Sequence, residues 1–342
     1  MSLTPRENYL NALTHKKTEW IPTFSVDCAC VGFGALSGPW VEKGPIGGGY
    51  DGFGVRWVTP SSGGGAAIPA PNEFLLDSDT ITDWKRIIKF PNLEEVDWKG
   101  IAEQEFAMVH ADPENQAIDF GCGNGVYERL ASFMGFEEAL IALMEEPEAC
   151  YDLMEAITDY KIEFAKKVKQ YYNPDIFTNY DDIATERGPF MSPETYRKLI
   201  KPHHKRLYEE VKKLGMIPVQ HTCGYCEHLI EDFIDTGAVA WTSVQPTNDI
   251  EKILSKYGDK FVLIGGFDSN GKPAQADATV EERMKEVHRC MDIYGKYPGY
   301  IFFGFVLVDS IDPAETGKAL APIFEEASRY SRELAAGTGK VL

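Results

Sequence analysis

Residues 221–226 read HTCGYC and follow the apolar run IPVQ. Side chains alternate faces along an extended segment, so His221 and Cys223, two apart, point the same way, and an imidazole and a thiolate can converge on one ion. Zinc takes nitrogen and sulfur together, and a catalytic zinc site uses three protein ligands with one position left open. Cys226 lies three beyond Cys223 and can join after a tight turn at Gly224. The bland alternative is a hydrogen-bonded histidine beside two small buried cysteines.

A second group lies in NYDDIATERGPFMSPETYRKLIKPHHKRL, residues 179–207. Paired acids where an apolar run ends can order a polar substrate group, hold a metal, or act as general base. Asp181, Asp182 and Glu186 are therefore the catalytic candidates, although neighbouring acids on a strand face opposite sides. Ser192-Pro193-Glu194 reads as a helix start, with Ser192 as N-cap and Pro193 in the first helical position. His203 and His204 then fall on a helix whose next turn brings Arg206, Leu207 and Tyr208, none a usual ligand, so a solvated face is expected for both histidines.

The segment AIDFGCGNG, residues 117–125, imitates the strand and glycine loop of nucleotide-binding Rossmann folds. The acid that should close the next strand about twenty positions later falls at Glu137 and Glu138, inside the helical pattern GFEEALIALM, so the confirming context is missing. No P-loop, nucleophile elbow or HExxH motif occurs.

The elements that would position these groups alternate regularly. The apolar runs AIDF, DIFTNY, IPVQHT, AVAWTSV, FVLIGG and YIFFGFVLV are each followed by a polar or charged segment. IPTFSV adds a seventh strand, and the eighth is VRWVTP or lies near it; strand and helix alternating this often imply a parallel sheet, closed as a barrel or open as a doubly wound sheet. Barrel chemistry sits where strands end, and there the sequence places Asp27, Cys28, Asp181, Asp182, His221, Cys223, Gln245 and Asp268. The Gly-rich stretch Gly44 to Gly65 is long enough to be a functional loop or lid. Trp40, Tyr50, Phe53 and Trp57, in or beside it, can line an apolar pocket. Trp57, Tyr180, Gln245 and Asp268 are the substrate-binding candidates.

Composition narrows the classes. The 342 residues carry a formal net charge of -19, with 44% hydrophobic and 25% charged residues, an ordinary globular balance with no basic field for nucleic acid. No stretch has the uninterrupted apolar length of a membrane span, and no signal peptide is present, so a cytoplasmic protein is expected. Seven cysteines in such a chain read as reduced thiols.

Five ordered blocks carry a resemblance: the pattern running from Gly125 to Glu148, the DDIATERGPFMSPETYRKLIKPHHKRL block, HTCG followed by LIEDFIDTGA, SVQPTNDI, and KYGDKFVLIGGFD. Together, from about residue 120 to 270, they resemble the uroporphyrinogen decarboxylase superfamily. The resemblance implies a (β/α)8 TIM barrel in a single domain over residues 1–342, with an N-terminal extension, long loops and its cleft at the C-terminal mouth, and one of two chemistries: cofactor-free decarboxylation of uroporphyrinogen, or zinc-assisted methyl transfer with a corrinoid. The stretch FSVDCACVGFG has no arginine where the decarboxylases carry them, and FFGFVLVDS lacks their late histidine. The HxC pair matches the methyltransferase branch at His221 and Cys223, while that branch's late cysteine is absent from residues 300–310. Cys226, Asp181, Asp182 and Glu186 are then the candidates for the third ligand. The resemblance thus implies zinc, a cobalamin carried by a partner protein, and a small methoxylated donor or thiol acceptor, with a homodimer left open. The alternatives are uroporphyrinogen decarboxylation and a non-catalytic small-molecule-binding barrel.

Overall fold

A parallel sheet covered on both faces is built from near-continuous apolar runs. Seven such runs form one all-parallel sheet in the computed structural model, which describes residues 2–32, 42, 44–45, 47–60, 67–306, 308 and 312–338. The strands are β1 (Cys28–Val31), β2 (Ala117–Cys122), β3 (Ile176–Tyr180), β4 (Ile217–His221), β5 (Ala240–Val244), β6 (Val262–Gly266) and β7 (Tyr300–Phe303), and each pairs with the next in chain order. The segment before β1 reaches the other edge: Phe24 N donates to Phe302 O and Phe302 N to Pro22 O, both across 2.9 Å.

Among the described residues the helices are α1 (Pro5–Leu13), α2 (Trp98–Met108), α3 (Val126–Met134), α4 (Phe136–Glu145), α5 (Pro147–Tyr171), α6 (Lys201–Lys213), α7 (Ile230–Thr236), α8 (Ile250–Tyr257), α9 (Val280–Tyr294) and α10 (Pro313–Ala335), besides shorter turns. Side-chain alternation divides the core in two. Cys28, Ala117, Ile176, Val219, Ala240, Val262, Ile264 and Ile301 form one buried cluster with Tyr9, Ala12 and Leu13 of α1. Helix α1 begins at a reciprocal capping box between Thr4 and Glu7, with Pro5 in the first turn. The other faces of the strands, with Phe120, Phe177, Trp241 and Leu263, pack against helix residues such as Leu130, Phe133 and Phe233. Burying a side chain of this size contributes roughly 1.5–3 kcal/mol, which makes this outer layer the main source of cohesion.

Two strand expectations are corrected. VRWVTP does not enter the sheet: Arg56–Val58 pairs antiparallel with Gly49–Tyr50 and Ile68–Pro69 in a separate three-stranded sheet. Arg56 is exposed there, and a charged residue interrupts the apolar run that a doubly covered strand requires. IPTFSV makes only isolated bridges, at Thr23 and Phe24, and the strand proper begins at Cys28.

The Gly-rich excursion is fastened by buried charge. Asp51 accepts from Phe53 N and Val55 N at 2.9 Å, from Trp57 Nε1 at 3.0 Å and from Arg129 Nη1 at 2.7 Å. The Arg129 guanidinium lies 4.2 Å from the Phe53 ring centre and also meets Glu42, which Lys161 Nζ reaches at 3.0 Å. Arg129 and Lys161 are fully buried, and paired acids are what allow charges to sit there. Trp40 lies outside the described residues, and Tyr50 is exposed.

The expectation of a solvated face for His203 and His204 is also corrected, since both are buried. Four residues on from them, Leu207 and Tyr208 are buried too, so both histidines lie on the core-facing side of α6, which follows a π-helical turn over Tyr196–Ile200.

Candidate metal centre

Parallel pairing brings the ends of β3 and β4 together, with Tyr180 in register with His221. Their rings stack at a centroid distance of 3.9 Å and an angle of 25°. Alternation past Tyr180 sends Asp181 outward and Asp182 to the His221 side. His221 Nε2 lies 3.7 Å from Cys223 Sγ and 3.9 Å from Asp182 Oδ1. One ligand atom from each of Asp182, His221 and Cys223 lies within 4.8 Å of the others, and all three residues are half-buried.

The loop that carries Cys223 is held from several sides. Cys223 N donates to Asp182 Oδ1 at 2.7 Å, Gly224 N to Gln245 Oε1 at 2.7 Å, and Asn248 Nδ2 to Gly224 O at 2.9 Å. Gly224 has φ 92, and a Cβ there would stand 2.5 Å from Thr185 O, so the turn requires glycine.

The donor set fits a borderline cation. Nitrogen, sulfur and one carboxylate oxygen are all zinc ligands, and three of them leave a position open. Burial lowers the His221 pKa to about 4, so its imidazole is neutral and able to ligate at pH 7. Burial, reinforced by Asp182, Glu128 and Cys226, pushes the Cys223 thiol well above its ordinary range. Ionising it calls for a positive partner, and a metal taken up here would release a proton. His221 Nδ1 has no hydrogen-bond partner among the described residues.

The remaining candidates lie elsewhere. The Asp181 carboxylate is fully buried and accepts from Tyr127 N at 3.1 Å and Glu128 N at 2.8 Å, where α3 begins, and from His204 Nε2 at 2.6 Å. Its contacts are those of a helix cap. Glu186 is exposed at the tip of the hairpin formed by Ala184–Thr185 and Gly188–Pro189. Cys226 is buried in the outer core, and burial raises its thiol to about 12. Gln245 ties the Cys223 loop to Ser269, and Asp268 accepts from Asn270 N and Gly271 N within its own loop.

Beside Asp182 opens a cleft of about 400 Å³ lined by Trp57, Phe74, Tyr127, Phe136 and Phe190 among others. Phe136 and Phe190 meet edge to face at 4.4 Å. Trp57 was legible as a pocket residue, whereas Tyr127, Phe136 and Phe190 were not. Among the described lining residues there is no lysine or arginine.

A parallel α/β sheet with polar groups gathered at the strand ends defines the class, an α/β fold of the TIM-barrel-like kind. The chain belongs to the uroporphyrinogen decarboxylase (URO-D) family, whose model matches residues 126–305. Among solved structures, a methyltransferase from Methanosarcina mazei is similar over 96% of this chain and 99% of its own, at 12% identity and TM-score 0.63. A GH113 beta-1,4-mannanase matches 71% of this chain and 82% of its own at 13% identity, with TM-score 0.40. A sugar phosphate isomerase/epimerase from Parabacteroides distasonis matches 68% and 76% at 12% identity, with TM-score 0.32. No curated protein sequence matches the chain. Among the described residues, no helix is long and apolar enough to cross a membrane.

Proposed function

We propose that this chain is a cytoplasmic (β/α)8-barrel methyltransferase that moves a methyl group between a small methoxylated donor, or a thiol acceptor, and a corrinoid carried by a partner protein. The observation that carries the reading is the convergence of Asp182, His221 and Cys223 at the edge of an aromatic-walled cleft. These three residues would hold zinc, with Asp182 taking the place of a second thiolate. Zinc bound there would supply Lewis acidity, polarising a methyl-ether oxygen or lowering the pKa of a thiol. The aromatic walls orient an apolar donor and exclude water from it.

Decarboxylation of uroporphyrinogen, the second reading, needs cations for a polycarboxylate. Among the described residues none lines the cleft, and the first amides of α3, a natural anion site, are occupied by Asp181. A non-catalytic barrel would leave the converging ligands without a use.

Metal analysis of the native protein and of Cys223→Ser tests the reading. Near-stoichiometric zinc in the native protein and its loss from the variant are expected, and equal zinc in both overturns the site. Incubation with methoxylated aromatics, reduced cobalamin and its carrier protein should yield methylcobalamin absorbance. Turnover of uroporphyrinogen to coproporphyrinogen would overturn the assignment.

A further inference from the structure

Behind the ligand atoms lies a buried polar layer that touches neither metal nor cleft. His204 Nε2 meets Asp181 Oδ2 at 2.6 Å, with both side chains fully buried. The other ring nitrogen, Nδ1, lies 3.2 Å from the Tyr196 hydroxyl. Both bonds are satisfied if Nε2 carries the proton and donates to the carboxylate while Nδ1 accepts from the tyrosine. Tyr196 opens the π-helical turn, and such turns recur at functional sites because they re-aim side chains that an unbroken helix would point elsewhere.

The same layer grips the backbone that bears the ligands. Gln220 Nε2 donates to His221 O at 2.7 Å and to Asp181 O at 3.3 Å, bridging the ends of β3 and β4. Tyr208 donates its hydroxyl to Gln220 Oε1 and accepts from Asn179 Nδ2 at 3.2 Å. Asp181 N donates to His221 O at 3.1 Å. A Cβ on Gly125 would stand 2.2 Å from Asp181 Cβ, so the start of α3 seats this carboxylate closely. Since successive side chains of an extended segment face opposite ways, fixing Asp181 on the helix side fixes Asp182 on the His221 side.

We propose that His204 is a positioning residue for the ligand triad: through its hydrogen bond to Asp181 it holds Asp182 in reach of His221 and of the Cys223 amide. The proposal rests on the zinc reading for its consequence, but not for its geometry. His204 serves as the outer support that sets the orientation of a ligand without touching the ion.

The test compares His204→Leu, which removes the donor, with His204→Gln, whose amide restores it, each confirmed as folded by circular dichroism. In metal-free protein, exchange of the Cys223 amide hydrogen reports its bond to Asp182. The Leu variant should exchange at least about ten-fold faster than wild type, and the Gln variant within about three-fold of it. Titration with Co²⁺, followed by its ligand-field and thiolate charge-transfer bands, should show affinity weakened about 10–100-fold in the Leu variant and largely recovered in the Gln variant. A purely structural histidine would lower thermal stability in both variants while leaving the Cys223 exchange rate and the cobalt spectrum of the folded protein as in wild type, and that result overturns the proposal. Should His204→Leu not fold, Tyr196→Phe, which removes only the support on Nδ1, replaces it, and an unchanged exchange rate there is equally fatal. Wild-type protein that takes up no Co²⁺ sinks the metal reading, while the exchange comparison still decides the role of His204.

Discussion

The backbone N–H of Cys223 donates to Asp182 Oδ1 across 2.7 Å, so the loop bearing one proposed ligand is tied to the carboxylate that would complete the triad. Asp182 is thereby an acceptor for the loop and, in the proposed site, would also supply charge to the ion. Asp182→Asn keeps the acceptor and loses the charge, whereas Asp182→Ala loses both. Zinc affinity, measured by competition with a chromophoric chelator, should fall more than about 100-fold in the Ala variant, beyond the loss typical of an outer support, and by less in the Asn variant. Equal affinities in all three proteins would remove Asp182 from the ligand set.

The edge-to-face pair of Phe136 and Phe190 makes a separate prediction about the cleft. Phe136 is 47% exposed, so truncating it should cost little folding stability. An aromatic contact of this kind contributes about 0.5–1.5 kcal/mol, so Phe136→Ala should raise KM for a methoxylated aromatic donor by up to about ten-fold. The kcat value should change little, because the ring would touch the proposed donor and not the ligand atoms. A fall in kcat with unchanged KM would place the donor elsewhere.

Much of this site could be read from order along the chain. HxC spacing at a strand end predicted that His221 and Cys223 share a face, and the alternation of Asp181 with Asp182 meant that only one of those two could face them. Which one did was settled by what Asp181 meets on its own side: the amides of α3 and His204, more than 20 residues away in sequence in each direction. Such pairings leave no local periodicity. The inward turn of His203 and His204 was legible from apolar spacing, since Leu207 and Tyr208 stand four residues on in the same regular helix; it was missed because only their value as metal ligands was weighed. The parallel strands were legible because each is buried on both faces and reads as an apolar run, while Arg56–Val58, with a similar composition, pairs antiparallel in an excursion that no such run specifies.

His203 gives a pH prediction. Its ring is tilted against Tyr151 at 4.5 Å, and burial, helped by the neighbouring His204 and Arg206, lowers its pKa from 6.5 to about 4. Between those values the unfolded chain binds the proton and the folded one does not, so stability from this group is complete above about pH 6.5 and is lost as pH falls towards 4. Urea unfolding at pH 7 and pH 4.5 should show wild type losing on the order of 2 kcal/mol more than His203→Phe. Equal losses in the two proteins would show that His203 does not set the acid limb.

The Arg129 and Asp51 pair links stability to the shape of the cleft. Arg129 Nη1 and Trp57 Nε1 share the same Asp51 oxygen, and Trp57 forms part of the cleft wall. Removing the cation strands a carboxylate in the core, and breaking a buried pair from one side costs about 3–5 kcal/mol. Arg129→Met should therefore lower stability by that order, and adding Asp51→Asn, which removes the stranded charge while keeping an acceptor for Trp57, should recover part of it. Chemical denaturation of the two single variants and the double variant measures the coupling. Strictly additive losses would mean that the charges are held independently. In the opposite case, the double variant should also regain a KM nearer to wild type than Arg129→Met shows, because the Asp51 loop that seats Trp57 is no longer distorted by an unpaired charge.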